Sequence, residues 1–173
     1  HLLPQIVQNL HKAAVAGLII FLIEVLLAIL APVIAPYDYI TMDTASQLAT
    51  PSLLHPFGCD DVGRDILSRV LIGARYSLSM GVISALSSNF LGMIIGAIAG
   101  FVGGWVDNVI MRICDIIQAI PAMLLIIILA VLLGPGYINT ILALTLSTLT
   151  YPARLIRGQI LKERENEYIE AER

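Results

Sequence analysis

The sequence predicts an all-α integral membrane protein, a multi-pass helical bundle, and composition and charge spacing carry that prediction. Hydrophobic residues fill 58% of the 173 positions and charged residues only 13%, against about 25% charged in an ordinary soluble domain. Mean hydropathy is +0.87. Uncharged runs of spanning length recur, and the charges collect between them. The net charge of −3 and the lack of a long basic run exclude nucleic acid as a partner class. Cys59 and Cys114 lie in dissimilar settings, a polar loop and the edge of an apolar span, so no disulfide is expected between them.

Residues 1–12 are a short polar lead with scattered Leu and Ile, suited to a cytoplasmic or interfacial helix. His1 is not an initiator methionine, so the sequence is expected to be part of a longer chain. Residues 13–35 read as the first transmembrane helix, because about 22 residues at 1.5 Å rise cover about 33 Å, enough for a hydrocarbon core of about 30 Å. The run is too long for a signal-peptide core and lacks a cleavage pattern, which makes it a retained anchor. Glu24 interrupts it at a cost on the order of 3 kcal/mol, against about 6 kcal/mol returned by the Leu, Ile, Val and Phe around it. Glu24 reads either as the lining of a polar path or as an acid satisfied by a neighbouring helix.

Pro32 and Pro36 close that helix and open an acidic loop over residues 36–75. Its charge bias places it outside the cell. Pro51, Pro56 and Gly58 argue for irregular backbone, after which Asp60 or Asp61 caps a helix starting near Val62. Ile66, Leu67, Val70 and Leu71 recur at helical spacing beside Arg64, Arg69 and Arg75, so that helix is expected to be amphipathic and to lie on the outer surface. His55, Cys59, Asp60 and Asp61 invite a metal reading. One His and one Cys among turn-forming Pro and Gly favour caps and ion pairs instead, and no metal site is assigned.

Residues 76–153 hold three further crossings. The uncharged stretch 76–106 is the second, and within it Ser84, Ser88, Gly92, Gly96 and Gly100 recur every fourth position. Such a stripe lets helix backbones approach closely in lipid, in packing within this bundle, at a subunit seam or along a pore wall. Asp107, Arg112 and Asp115 are the charges of the next turn, where Arg112 and Asp115 can pair on one face, as an inner gate or as ordinary surface ion pairs. Residues 116–153 are uncharged and too long for one crossing, and Gly134-Pro135-Gly136 divides them into a third helix (116–133), kinked by Pro121, and a fourth (137–151). Thr145 and Thr148, in the hydroxyl-rich fourth helix, are candidate path-lining residues, or hydroxyls bonded back to their own backbone.

Residues 154–173 turn abruptly charged, with Arg and Lys clustered beside an apolar span, which favours the cytoplasmic side. Counting four crossings back places both ends inside. No Walker-type phosphate loop, His-Glu-x-x-His or Gly-x-Ser-x-Gly is present, so no catalytic grouping competes with a transport or scaffold role.

Several ordered motifs then narrow the class. His55-Pro56-Phe57-Gly58-Cys59-Asp60-Asp61-Val62-Gly63-Arg64-Asp65 resembles the outer segment of the permease subunits of bacterial dipeptide, oligopeptide and nickel ABC importers. The likeness continues through Gly103-Gly104-Trp105-Val106-Asp107, Met111 to Asp115, Pro121, Gly134-Pro135-Gly136 and Tyr151-Pro152-Ala153-Arg154. It ends in Glu167, Tyr168, Ile169, Glu170, Ala171, Glu172 and Arg173, which resemble the start of the "EAA" segment that docks onto the ATPase. Cys59 stands where Thr is usual, and Glu172 where a second Ala is usual.

The resemblance implies a type I importer permease with four of an expected six transmembrane helices present, in the bacterial inner or plasma membrane. It implies a second permease as heterodimer partner, two ATP-binding subunits that hold ATP and Mg, and an extracellular or periplasmic substrate-binding protein. No cofactor is expected on this chain itself. Gly58, Asp60, Asp61, Gly63, Arg64 and Asp65 would shape the outer surface against that binding protein, and peptide is the expected cargo, with nickel or another metal chelate as the alternative. A membrane scaffold, or an intramembrane enzyme using Glu24 or Asp115, are the readings from other classes.

Overall fold

The computed structural model describes residues 2–164. Among them are six α-helices and no β-strand, only a single bridge between Cys59 and Asp65. The helices are α1 (Leu2–Ile34), α2 (Ile66–Val102), α3 (Gly104–Ala119), α4 (Ala122–Leu133), α5 (Tyr137–Thr148) and α6 (Thr150–Arg164). The chain divides into two compact units, His1–Ser79 and Met80–Arg173, with the boundary inside α2.

In the first unit, α1 contains the span Lys12–Ile34 at a mean hydropathy of 2.9, long and apolar enough to cross a membrane. The helix starts at Leu2, so the lead is continuous with the span rather than a separate segment. Pro32 sits in the last turn, where a missing N–H and a ring clash cost least continuation. Large side chains such as Val33 and Ile29 are exposed along α1, while Ala28 and Ala31 are buried. Exposed leucines and isoleucines of this density suit hydrocarbon or protein surroundings rather than water.

The segment between α1 and α2 is irregular yet internally bonded. Asp43 accepts from the Ala45 amide at 3.0 Å and from Ser46 Oγ at 2.6 Å, closing a short 3₁₀ turn over Thr44–Ser46. Gly58 and Gly63 both adopt positive φ, +74° and +78°, and a Cβ on either would collide with the Ala49 or Asp43 carbonyl oxygen. Only glycine fits both the backbone and the space there.

Helix α2 departs from expectation. No separate amphipathic helix begins near Val62; instead α2 runs unbroken for 37 residues from Ile66, and the Arg69 to Arg75 stretch is its first turns. Asp65, not Asp60 or Asp61, caps it by accepting from the Ser68 amide at 2.8 Å.

In the second unit, α3 and α4 meet at a 93° bend. Ile120 is extended, as a residue before proline tends to be, and Pro121 begins α4 instead of merely kinking a longer helix. The expected third crossing over 116–133 is therefore not one helix. Helices α4 and α5 have 12 residues each, about 18 Å, well short of a bilayer core. Among the described residues two helices are long and apolar enough to cross, or three if the bent α3–α4 pair is one span. By length and apolarity alone, that is fewer than the four crossings expected from the sequence. The Gly134-Pro135-Gly136 turn does separate α4 from α5, which pack against each other. Asn139 Nδ2 donates to the Leu133 and Gly134 carbonyls at 2.6 and 3.2 Å, satisfying acceptors left free at the end of α4.

Candidate functional site

Helices α3 and α6 carry the densest polar contact in the second unit, and they meet in antiparallel order. Asp107 in the first turn of α3 receives both Nε and Nη2 of Arg157. Asp115, two turns on, receives Nη2 of Arg154. Gln118 Nε2 then donates to Thr150 Oγ1 at 2.9 Å. These are three successive rungs. Asp107 has a side-chain exposure of 12% and Arg157 of 31%, whereas Asp115 and Arg154 stand at 49% and 40%. The first rung is thus bidentate and shielded, and the second is a wetter, weaker pair.

At the far end of α6, Arg164 Nη1 donates to the Gly100 carbonyl at 2.8 Å and toward that of Phe101 at 3.4 Å. Both oxygens belong to the last turn of α2, where carbonyls lack intrahelical donors and the helix dipole favours a cation.

Close approach of α6 to α2 depends on the small-residue stripe. A Cβ on Gly92 would meet the Leu149 carbonyl oxygen at 2.7 Å, and one on Gly96 would meet the backbone of Ala153. On Gly100 it would meet Ile160 at 2.9 Å. Ser88, one repeat earlier, accepts from Thr148 Oγ1 at 3.0 Å. The five stripe positions accordingly face α5 and α6, with Ser84 buried and bonded to its own helix at the Gly81 carbonyl. Ser84, Ser88, Asn89, Thr148 and Tyr151 also line a cleft of about 390 Å³. Thr145 is buried, and its hydroxyl has no hydrogen-bond partner among the described residues.

The first unit holds a second cluster. Asp65 divides its carboxylate: Oδ2 accepts from the Ser68 amide and from Ser68 Oγ at 2.7 Å, and Oδ1 lies 3.0 Å from His55 Nδ1. His55 stacks on Tyr37 with ring centroids 4.6 Å apart, and the Tyr37 amide donates back to Ser68 Oγ at 3.1 Å. Burial raises the Asp65 carboxyl, but the Ser68 and His55 bonds outweigh it and hold the group below its ordinary range. Asp60 gathers the Val62 and Arg64 amides at 3.0 and 2.9 Å, Arg64 Nε at 2.8 Å, and Arg69 Nη1. Burial again opposes ionisation there, and these bonds together with the Arg64 charge pull the carboxyl down to about 2. Asp61 is exposed and lies outside this knot.

The structure places the remaining expected residues as follows. Arg112 lies 3.8 Å from Asp115, both exposed, while Asp107 pairs with Arg157 and not with Arg112. Glu24 is exposed on α1, so within its own unit no neighbouring helix covers it. Glu167 to Arg173 lie outside the described residues. The sequence marks Arg154 only as part of the Tyr151-Pro152-Ala153-Arg154 motif and gives neither it nor Arg157 a partner, although their three-residue spacing places both on one helix face. No group of three or more His, Cys, Asp or Glu suited to a metal occurs among the described residues.

Comparison with known proteins follows the same segments. Residues 92–173 match the profile of the binding-protein-dependent transport system inner membrane component, and residues 10–56 match that of the N-terminal TM domain of oligopeptide transport permease C. The chain is 42% identical over 159 residues to the oligopeptide transport system permease protein OppC of Bacillus subtilis (strain 168), covering 92% of this chain and 52% of that one. It is 39% identical to the dipeptide transport system permease protein DppC of the same organism, over 92% of this chain and 50% of that one. It is also 39% identical over 166 residues to the glutathione transport system permease protein GsiD of Pectobacterium atrosepticum, covering 94% and 54%. The chain spans about half the length of the curated relatives it matches. With two family profiles falling on its two ends and relatives near 40% identity along almost all of it, the chain belongs to the inner-membrane permease components of binding-protein-dependent transport systems.

Proposed function

We propose that this chain is a permease subunit of an ATP-driven importer for di- and oligopeptides. The observation that carries the reading is similarity, at 37–42% identity over more than nine-tenths of the chain, to permeases named for oligopeptide, dipeptide and glutathione transport. Its role is passage rather than catalysis. The energy comes from two separate ATP-binding subunits that hold ATP and Mg, engaged through Glu167 to Arg173. A second, non-identical permease completes the path, and an outer binding protein delivers the peptide over the surface shaped by the Asp60 and Asp65 knots. The chain is multi-pass, with its N-terminal end and residue 173 on the cytoplasmic side, a placement supported by the Arg and Lys clustered from Arg154 onward. Alternating access follows from helix tilting as the ATPases close.

Gentle purification of the native full-length protein, with mass spectrometry of what remains bound and a transport assay of the assembly in liposomes, tests this. Recovery of a second permease and two ATP-binding subunits, with ATP-dependent peptide uptake, is the expected result. ATP-dependent uptake of nickel or a chelate in place of peptide would correct the cargo alone. Recovery of the protein with unrelated partners and no uptake would make it a scaffold.

A further inference from the structure

The antiparallel rungs between α3 and α6 do more geometrically than hold two helices together. Packing alone would let α6 slide or roll against α3, whereas polar rungs at Asp107–Arg157, Asp115–Arg154 and Gln118–Thr150 fix axial register at three heights. Their character changes along the helix. The rung nearest the C-terminal end of α6 is the bidentate, shielded ion pair, and the one at its start is a neutral amide–hydroxyl bond. A guanidinium gripping both carboxylate oxygens resists rotation as well as translation, which a single point contact does not. Arg164, seven residues beyond Arg157, fastens the same helix to the last turn of α2. Helix α3 then leads directly into the 93° elbow at Ile120 and Pro121, beyond which lies α4. The rungs therefore join α6 to the helix that enters the elbow.

We propose that the Asp107–Arg157 rung transmits movement of α6 to α3, and through the elbow to α4, in each transport cycle, making Arg157 and Asp107 positioning residues for coupling. The proposal rests on the importer reading. Sequence order supports it, because the segment resembling the ATPase-docking motif begins at Glu167, ten residues after Arg157 on the strand of chain that α6 leads into.

The test uses the full-length protein in its assembled complex, reconstituted in liposomes with its binding protein and peptide, and reads peptide transported per ATP hydrolysed. Arg157→Lys keeps the charge but loses the two-pronged grip, and Asp107→Asn keeps the shape but loses the charge. In both, co-purification of the subunits and ATP hydrolysis should persist while the ratio falls about tenfold, the range typical of a lost coupling interaction. The exchange Asp107→Arg with Arg157→Asp should restore most of the ratio. An unchanged ratio in the single variants, a parallel loss of both activities, or loss of subunit assembly would mark the rung as ordinary structural support and overturn the proposal. So would an exchanged pair that stays as uncoupled as the singles. Wild-type complexes that couple no hydrolysis to uptake would overturn the importer reading itself, and this proposal with it.

Discussion

Gly96 of α2 lies against the backbone of Ala153 in α6, so close that a Cβ on Gly96 would reach the Ala153 carbonyl oxygen and stand 3.0 Å from its carbonyl carbon and Cα. Backbone cannot rotate away as a side chain can. Gly96→Ala should therefore force the two helices apart, costing about 1–3 kcal/mol as overpacking in a tight core does. Gly81, on the same helix, has nothing within 4 Å of its missing Cβ. Gly81→Ala should be neutral or stabilising by up to about 1 kcal/mol from helix propensity. Thermal unfolding of both variants in the same detergent separates the effects, and a Gly96→Ala protein as stable as Gly81→Ala would show that α6 does not pack on this stripe.

Asp65 invites a different substitution. Its carboxylate caps α2 at Ser68 and meets His55 on the other oxygen, so one side chain ties the loop to the helix start. Asp65→Ala should cost about 1 kcal/mol for the lost cap, and should free the His55 ring from its stack with Tyr37. Asp65→Asn retains an acceptor for the Ser68 amide and should recover most of the capping. Hydrogen exchange at the Ser68 and Arg69 amides reads the cap directly. Equal protection in all three proteins would remove Asp65 from that role.

Acid acts on Asp60 next door. Its folded carboxyl titrates near 2, below the ordinary value of 3.8, so the sign follows: the stabilisation is fully present above the ordinary value and is lost as pH falls through about 2. The 60–65 turn should stay protected at pH 5 and loosen progressively below about pH 4, through loss of the Val62 and Arg64 amide bonds. Asp60→Asn should show the same protection at every pH in that window. A wild-type turn indifferent to acid down to pH 2 would mean the carboxylate is not what holds it.

Some of this architecture was legible in the residues. Continuous apolar runs reveal α1 and the core of α2, Gly134-Pro135-Gly136 marks the α4–α5 turn, and a four-residue repeat marks a face made for close approach. What periodicity does not carry is the identity of the neighbour. The stripe names its own face, and only folding shows that Leu149, Ala153 and Ile160 lie across it. Arg157 and Asp107 are 50 positions apart, so no local spacing joins them. Charge spacing starts the second crossing at 76, separate from the helix before it, because Arg69 and Arg75 interrupt an apolar pattern without interrupting helix, arginine being a good helix former. The α3–α4 bend was underestimated for the opposite reason: the apolar run continues through Pro121 while the backbone does not.

Thr145 and Thr148 share a helix face, three residues apart, and yet call for opposite outcomes. Thr148 Oγ1 bonds Ser88 and its own Leu144 carbonyl, so Thr148→Val removes an interhelical bond and should lower stability by about 1 kcal/mol. Thr145 is buried with its hydroxyl unpaired among the described residues. Removing a buried, unsatisfied hydroxyl while keeping the shape relieves a desolvation cost of about 1–3 kcal/mol, so Thr145→Val should raise the unfolding temperature of this chain. The same variant in the assembled complex gives the functional reading. If Thr145 donates to a passing peptide or to the second permease, Thr145→Val will slow uptake while the isolated chain grows more stable. If it is only a core residue, stability will rise and uptake will not change. A fall in the stability of the isolated chain would mean that the hydroxyl is satisfied within this chain after all.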